Sequence, residues 1–146
     1  MNQIYLKTKR AIRYLFYRHL TIDEQLHISY VLANEDLVKQ YWLLNKADRH
    51  HSFEVLMRSI KLTIDSDVLK LSLLHDIGKN KAHYSWLFRI LSELKINSSQ
   101  KAKEYLRHEL IGYEVLKKID GIDNDISFYQ KELIKQRHYV LEKMDY

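Results

Sequence analysis

His75 and Asp76 stand side by side at the end of an apolar run, Leu71-Ser72-Leu73-Leu74, and are followed by Ile77, Gly78 and Lys79. An imidazole lone pair and a carboxylate are ligand types that divalent transition metals take. In a chain with eight histidines a His-Asp pair means little by itself; its position gives it weight. Burying such a pair without partners costs several kcal/mol, roughly, and a cation removes that cost by accepting both the lone pair and the negative charge. Asp76 has two oxygens and can bridge two ions, which a histidine cannot. The chain has no cysteine, so disulfides and thiolate ligands are excluded and only nitrogen and oxygen donors remain. The run His108-Glu109-Leu110-Ile111 is followed by Gly112, where a His-Glu-x-x-His zinc protease needs its second imidazole. That reading is excluded. His19, His27 and His83 have no supporting context.

Helices must position these groups. Proline is absent and there are three glycines, Gly78, Gly112 and Gly121; so few breakers among abundant Leu, Ile, Lys and Glu favour long helices over sheet. The spacing of Ile4, Ile12, Leu15 and Phe16 predicts an amphipathic helix over residues 3–19. Thr21 and Glu24 have capping-box spacing and predict the next start, and Asn34 is expected to cap a helix bearing Leu37, Val38, Tyr41 and Trp42. A helix over 48–62 carries His51 in its first turn, with His50 about 100° away around the axis. A polar turn at 65–67 leads into the apolar helix ending at His75 and Asp76, which Gly78 is expected to stop. Further helices are expected over 84–94, over 101–119 with His108, and at the end of the sequence with His138, with loops at 97–100 and 121–125. The tyrosines fall at helical spacing beside Leu and Ile and read as core edges, not as base-stacking platforms.

The stretches His51-Ser52-Phe53-Glu54-Val55 and Leu73-Leu74-His75-Asp76-Ile77-Gly78-Lys79 resemble the HD superfamily of metal-dependent phosphohydrolases, its "HDIG" subgroup above all. The interval from His51 to His75 suits two antiparallel helices joined by a turn. His108-Glu109-Leu110-Ile111-Gly112 is similar to an element that supplies another histidine in many members, and Gln136-Arg137-His138 stands where those members carry a later one. The resemblance spans residues 34–140. It implies that His51, His75 and Asp76 bind one metal, that His108 and His138 hold a second with Asp76 between, and that water so activated attacks phosphorus in line. It also implies that Lys79 neutralises a phosphate oxygen, that Gly78 permits a sharp turn, and that Gly112 permits close packing near His108. Many members complete the first site with a late Asp. Here no clear counterpart follows His138, Asp145 being the one aspartate beyond it, so a water or another side chain is expected in that place. The "GYP" element of cyclic dinucleotide phosphodiesterases is absent after His138.

The expected architecture is all-α: one compact HD-like domain, residues 1–146, of six to seven helices. The expected function is hydrolysis of a phosphate ester or anhydride, in a nucleotide or related phosphorylated metabolite, with Asp76 and Lys79 as catalytic residues. One or two divalent ions are implied; Mn, Fe, Co, Ni and Zn suit histidine and carboxylate, and Mg suits them less. The alternative is a non-catalytic, metal-containing module of the same fold that binds a nucleotide or nucleic acid. The net charge is +5, and Lys7, Lys9, Arg10, Arg13 and Arg18 all precede the first acid, Asp23. Such a cluster either meets an anionic partner or is the solvated face of a helix. No apolar stretch approaches the roughly 20 residues that span a bilayer, and the first residues lack the pattern of a signal peptide, so a cytoplasmic, non-membrane protein is expected.

Overall fold

A computed structural model describes residues 9, 12, 16–81 and 107–146. Most of the N-terminal helix expected over 3–19, the helix at 84–94, the loop at 97–100 and the start of the 101–119 helix lie outside the described residues. Within them the protein is all-helical. The α-helices are α1 (Ile22–Leu32), α2 (Glu35–Trp42), α3 (Lys46–Ser59), α4 (Ser66–Leu74), α5 (His108–Leu116), α6 (Asp123–Tyr129) and α7 (Tyr139–Met144). A 3-10 helix (Ile77–Lys81) follows α4, and a π-helix (Gln130–Lys135) continues α6. No described helix is long and apolar enough to cross a membrane.

Side-chain caps set the starts. Thr21 and Glu24 close the expected capping box, Glu24 N–H donating to Thr21 Oγ1 at 3.3 Å and Thr21 N–H to Glu24 Oε1 at 3.0 Å. Asn34 caps α2 through Leu37 N–H at 3.0 Å, and Asn45 caps α3 through Asp48 N–H at 2.9 Å. Each such cap satisfies a donor that the first helical turn leaves unpaired, worth about 1 kcal/mol. Because α3 begins at Lys46, His51 falls in its second turn.

One continuous core runs from Leu20 through Ile28, Leu37, Leu56, Leu73 and Leu116 to Leu141. The antiparallel partners α3 and α4 pack through a seam of small buried side chains, with Ser72 Oγ donating to Ser59 Oγ at 3.0 Å. Small residues at that seam bring the two helices close, which brings His51 and His75 together.

The 3-10 helix is pressed against α5. A Cβ built on Gly78 would lie 1.7 Å from the carbonyl oxygen of His108 and 2.6 Å from Gly112 N. Gly78 therefore does not serve the turn expected of it: the positive-φ glycine among the described residues is Gly121 (φ 80°). Helix α4 has already ended at Leu74, and Gly78 is required by backbone against backbone. Gly112 has the packing role expected of it, since its Cβ would meet the Tyr129 hydroxyl at 2.5 Å and Ile77 Cγ2 at 2.9 Å.

Candidate metal centre

His75 ends α4 as its C-cap residue, and Asp76 leads into the 3-10 helix. Both are 1% exposed, and His51, from the middle of α3, is fully buried. Ligand atoms of His51, His75 and Asp76 all lie within 4.8 Å of one another. The His75 ring donates from Nδ1 to the carbonyl of Ser72 at 2.8 Å. That bond leaves the Nε2 lone pair directed away from its own helix, and Nε2 is buried without a hydrogen-bond partner. Its nearest acidic oxygens are Asp76 Oδ2 at 3.6 Å and Asp145 Oδ1 at 3.7 Å. These separations are slightly wider than the roughly 3.3 Å between ligands on a tetrahedral ion with 2.0–2.1 Å bonds.

The electrostatics fit a cation. Burial opposes protonation of His75, but the nearby Asp76 and Asp145 carboxylates outweigh it and raise the imidazole above its ordinary range. A divalent ion in that place would supply the same positive charge. Burial also opposes ionisation of Asp76, yet the Lys79 ammonium, His75 and the His108 hydrogen bond hold its carboxyl well below the usual range. Asp76 is therefore kept as a carboxylate, the form that ligates.

His108, the first residue of α5, places Nε2 at 3.1 Å from Asp76 Oδ1. The close approach at Gly78 delivers it there. Lys79 is 3% exposed and donates to Asp76 Oδ2 at 2.9 Å. The cation expected to face a phosphate is thus turned inward onto the carboxylate. His138 lies elsewhere: it is the N-cap residue of α7, its Nδ1 accepting from Val140 N–H at 3.2 Å. Its ring stacks on Tyr139 with centroids 4.8 Å apart. The chain leaves the π-helix extended at Gln136 (φ −149°, ψ 156°), and successive side chains along extended backbone point to opposite sides. Arg137, not His138, bonds to Asp145 and to Glu109. His50 packs edge-on against Tyr17 with centroids 4.8 Å apart.

Asp145, the one aspartate after His138, lies beside the His51 and His75 imidazoles. Its Oδ1 lies 2.8 Å from His51 Nε2 and 3.7 Å from His75 Nε2, so it joins the two imidazoles. Sequence reasoning passed over it because a lone aspartate has no periodicity or motif to distinguish it; being the one aspartate after His138 was the available signal. No family model, curated protein or solved structure matches the chain.

Proposed function

We propose that this protein is a metal-dependent phosphohydrolase of the HD type, acting on a phosphate ester or anhydride of a nucleotide or related phosphorylated metabolite in the cytoplasm. The observation that carries this reading is His75. Its Nδ1–H is committed to Ser72, and its buried Nε2 has no hydrogen-bond partner while it faces His51, Asp76 and Asp145. His51, His75 and Asp76 would hold a divalent transition ion, with Asp145 beside the imidazoles; the all-nitrogen-and-oxygen donor set suits Mn, Fe, Co, Ni or Zn. Lewis-acid polarisation of a phosphoryl oxygen and of the attacking water is the chemistry such an ion supplies when bound.

The remaining groups have defined tasks. Ser72 fixes the His75 tautomer, as backbone carbonyls do for metal-ligating histidines. Lys79 keeps Asp76 ionised. His108, with 14% of its side chain exposed against 2% for Asp76, lies on the outer side of that carboxylate, where it can orient a phosphate or hold a second ion.

Elemental analysis of the purified protein, repeated on His51→Ala and Asp76→Ala, tests the site. Metal is expected in the parent and lost in both variants, and unchanged content in both overturns the assignment. A phosphate-ester and nucleotide panel then tests the reaction: turnover abolished by Asp76→Asn with the fold retained supports the enzyme. Metal bound without hydrolysis across the panel identifies a binding module instead.

A further inference from the structure

Asp145 directly follows α7, whose Val140 and Leu141 are buried, and polar contacts hold it on both main-chain flanks and at its side chain. Arg58 lies seven residues after His51 on α3, two turns along the same helix. Its Nη1 donates to the main-chain oxygens on either side of Asp145, Met144 at 3.2 Å and Tyr146 at 2.9 Å. The same guanidinium lies 4.0 Å from the centroid of the Tyr146 ring. Arg137 approaches from the other side, with Nη2 bonded to Asp145 Oδ2 and Nη1 to Glu109 Oε1 at 2.8 Å. One oxygen of the carboxylate is thereby engaged, and the other is left on His51 Nε2.

We infer that Arg58 and Arg137 are positioning residues that form a clasp, setting the late carboxylate in the metal site. The inference rests on the metal-site reading above. Arg58 fixes the main chain at a set distance from His51, since both ride on one rigid helix. Arg137 fixes the rotation of the carboxylate, because a planar guanidinium constrains direction as well as distance. Glu109 anchors Arg137 to α5, the helix that also delivers His108, so one ion-pair chain connects the two sides of the site. Without the clasp, Asp145 would have to lose its main-chain and side-chain freedom at the moment the ion binds, and affinity would fall by that cost.

The test is Zn2+ affinity, measured against a competing chelator, for the full chain and its Arg58→Ala and Arg137→Ala variants, each also made in an Asp145→Asn background. Each substitution is expected to weaken Zn2+ by about 10–100-fold, the usual effect of removing a group that orients a ligand, and to have almost no further effect once Asp145 is Asn. Arg137→Lys should restore only part of the affinity. An equal loss in both backgrounds, or none in either, overturns the clasp. Should Arg58→Ala fail to fold, Arg137→Ala decides alone, since its side chain is 34% exposed. The 15N shift of His51 Nε2 in the metal-free protein separates the two claims. If the parent takes up no Zn2+, the metal reading falls. The clasp then stands or falls on whether the Arg137→Ala substitution moves that shift as Asp145→Asn does.

Discussion

The two sides of the site are built in different ways. On one side, His51, His75 and Asp76 project from α3 and the end of α4, elements whose apolar faces are sunk in the core. Their positions follow from helix packing, and they need little further support. On the other side, Asp145 and Arg137 belong to residues 130–146, where a π-helix, an extended residue and the short α7 follow one another. A helix of this length has little stability of its own; Val140 and Leu141 anchor it in the core, and the guanidinium groups of Arg58 and Arg137 hold the residues at and around Asp145. A side chain on a long buried helix is fixed by packing, whereas one just past a short helix takes specific polar contacts as well.

That contrast can be broken at three places. The largest effect is expected at Gly78, where packing is closest. Gly78→Ala forces a Cβ into the His108 carbonyl, a main-chain atom that cannot swing aside. The loss should reach about 3 kcal/mol or more, at the upper end for overpacking. Calorimetry would measure it, and imidazole NMR should show His108 separated from Asp76. Gly112→Ala should cost less, about 1–3 kcal/mol, because the two nearest groups are the ends of side chains and the main-chain Gly78 N is farther, at 3.2 Å. A Gly78→Ala protein as stable as the parent would mean that the 3-10 helix and α5 are not locked together.

The next effect is on pH dependence. His75 is raised above its ordinary value of 6.5 once the Asp76 and Asp145 carboxylates outweigh burial. Metal requires the neutral ring, so affinity should rise with pH until the raised ring has lost its proton, and then level off. The sign for the metal-free protein is the opposite. Stability from the protonated ring is fully present below 6.5 and is lost as pH rises through the raised folded value. Melting temperatures of metal-free and metal-loaded protein should therefore diverge on the alkaline side. If they run parallel, His75 is not the group that exchanges a proton for the ion.

The smallest effect belongs to His138. Replacing it with Ala removes a cap worth about 1 kcal/mol. Metal content should be unchanged by elemental analysis; a loss of bound metal would place this imidazole in the site after all.

The same division separates what the sequence carried from what it did not. The all-helical class was legible in the absent prolines and the 3.6-residue spacing of apolar side chains, and the caps at Thr21 and Asn34 were legible because each spans three residues. The grouping of His51, His75 and Asp76 was implied by the resemblance of their flanking residues to HD motifs, with an interval that suits two helices joined by a turn, and the folded chain brings the three together. Gly78 suggests a turn and instead admits a neighbouring backbone: sequence marks a glycine but does not tell a left-handed φ from a backbone that passes too close for a Cβ. The resemblance implies a phosphate-facing Lys79, and only the folded chain shows that its flexible stem returns to Asp76 three residues earlier. Which of Arg137 and His138 reaches Asp145 turned on where a π-helix gives way to extended backbone. Periodicity and capping act within a few residues, so sequence alone determined the helices and which of them carry or precede His51, His75 and Asp76. The place of Asp145 depends on contacts with Arg58 and His51, more than eighty residues away along the chain, and only tertiary structure could decide it.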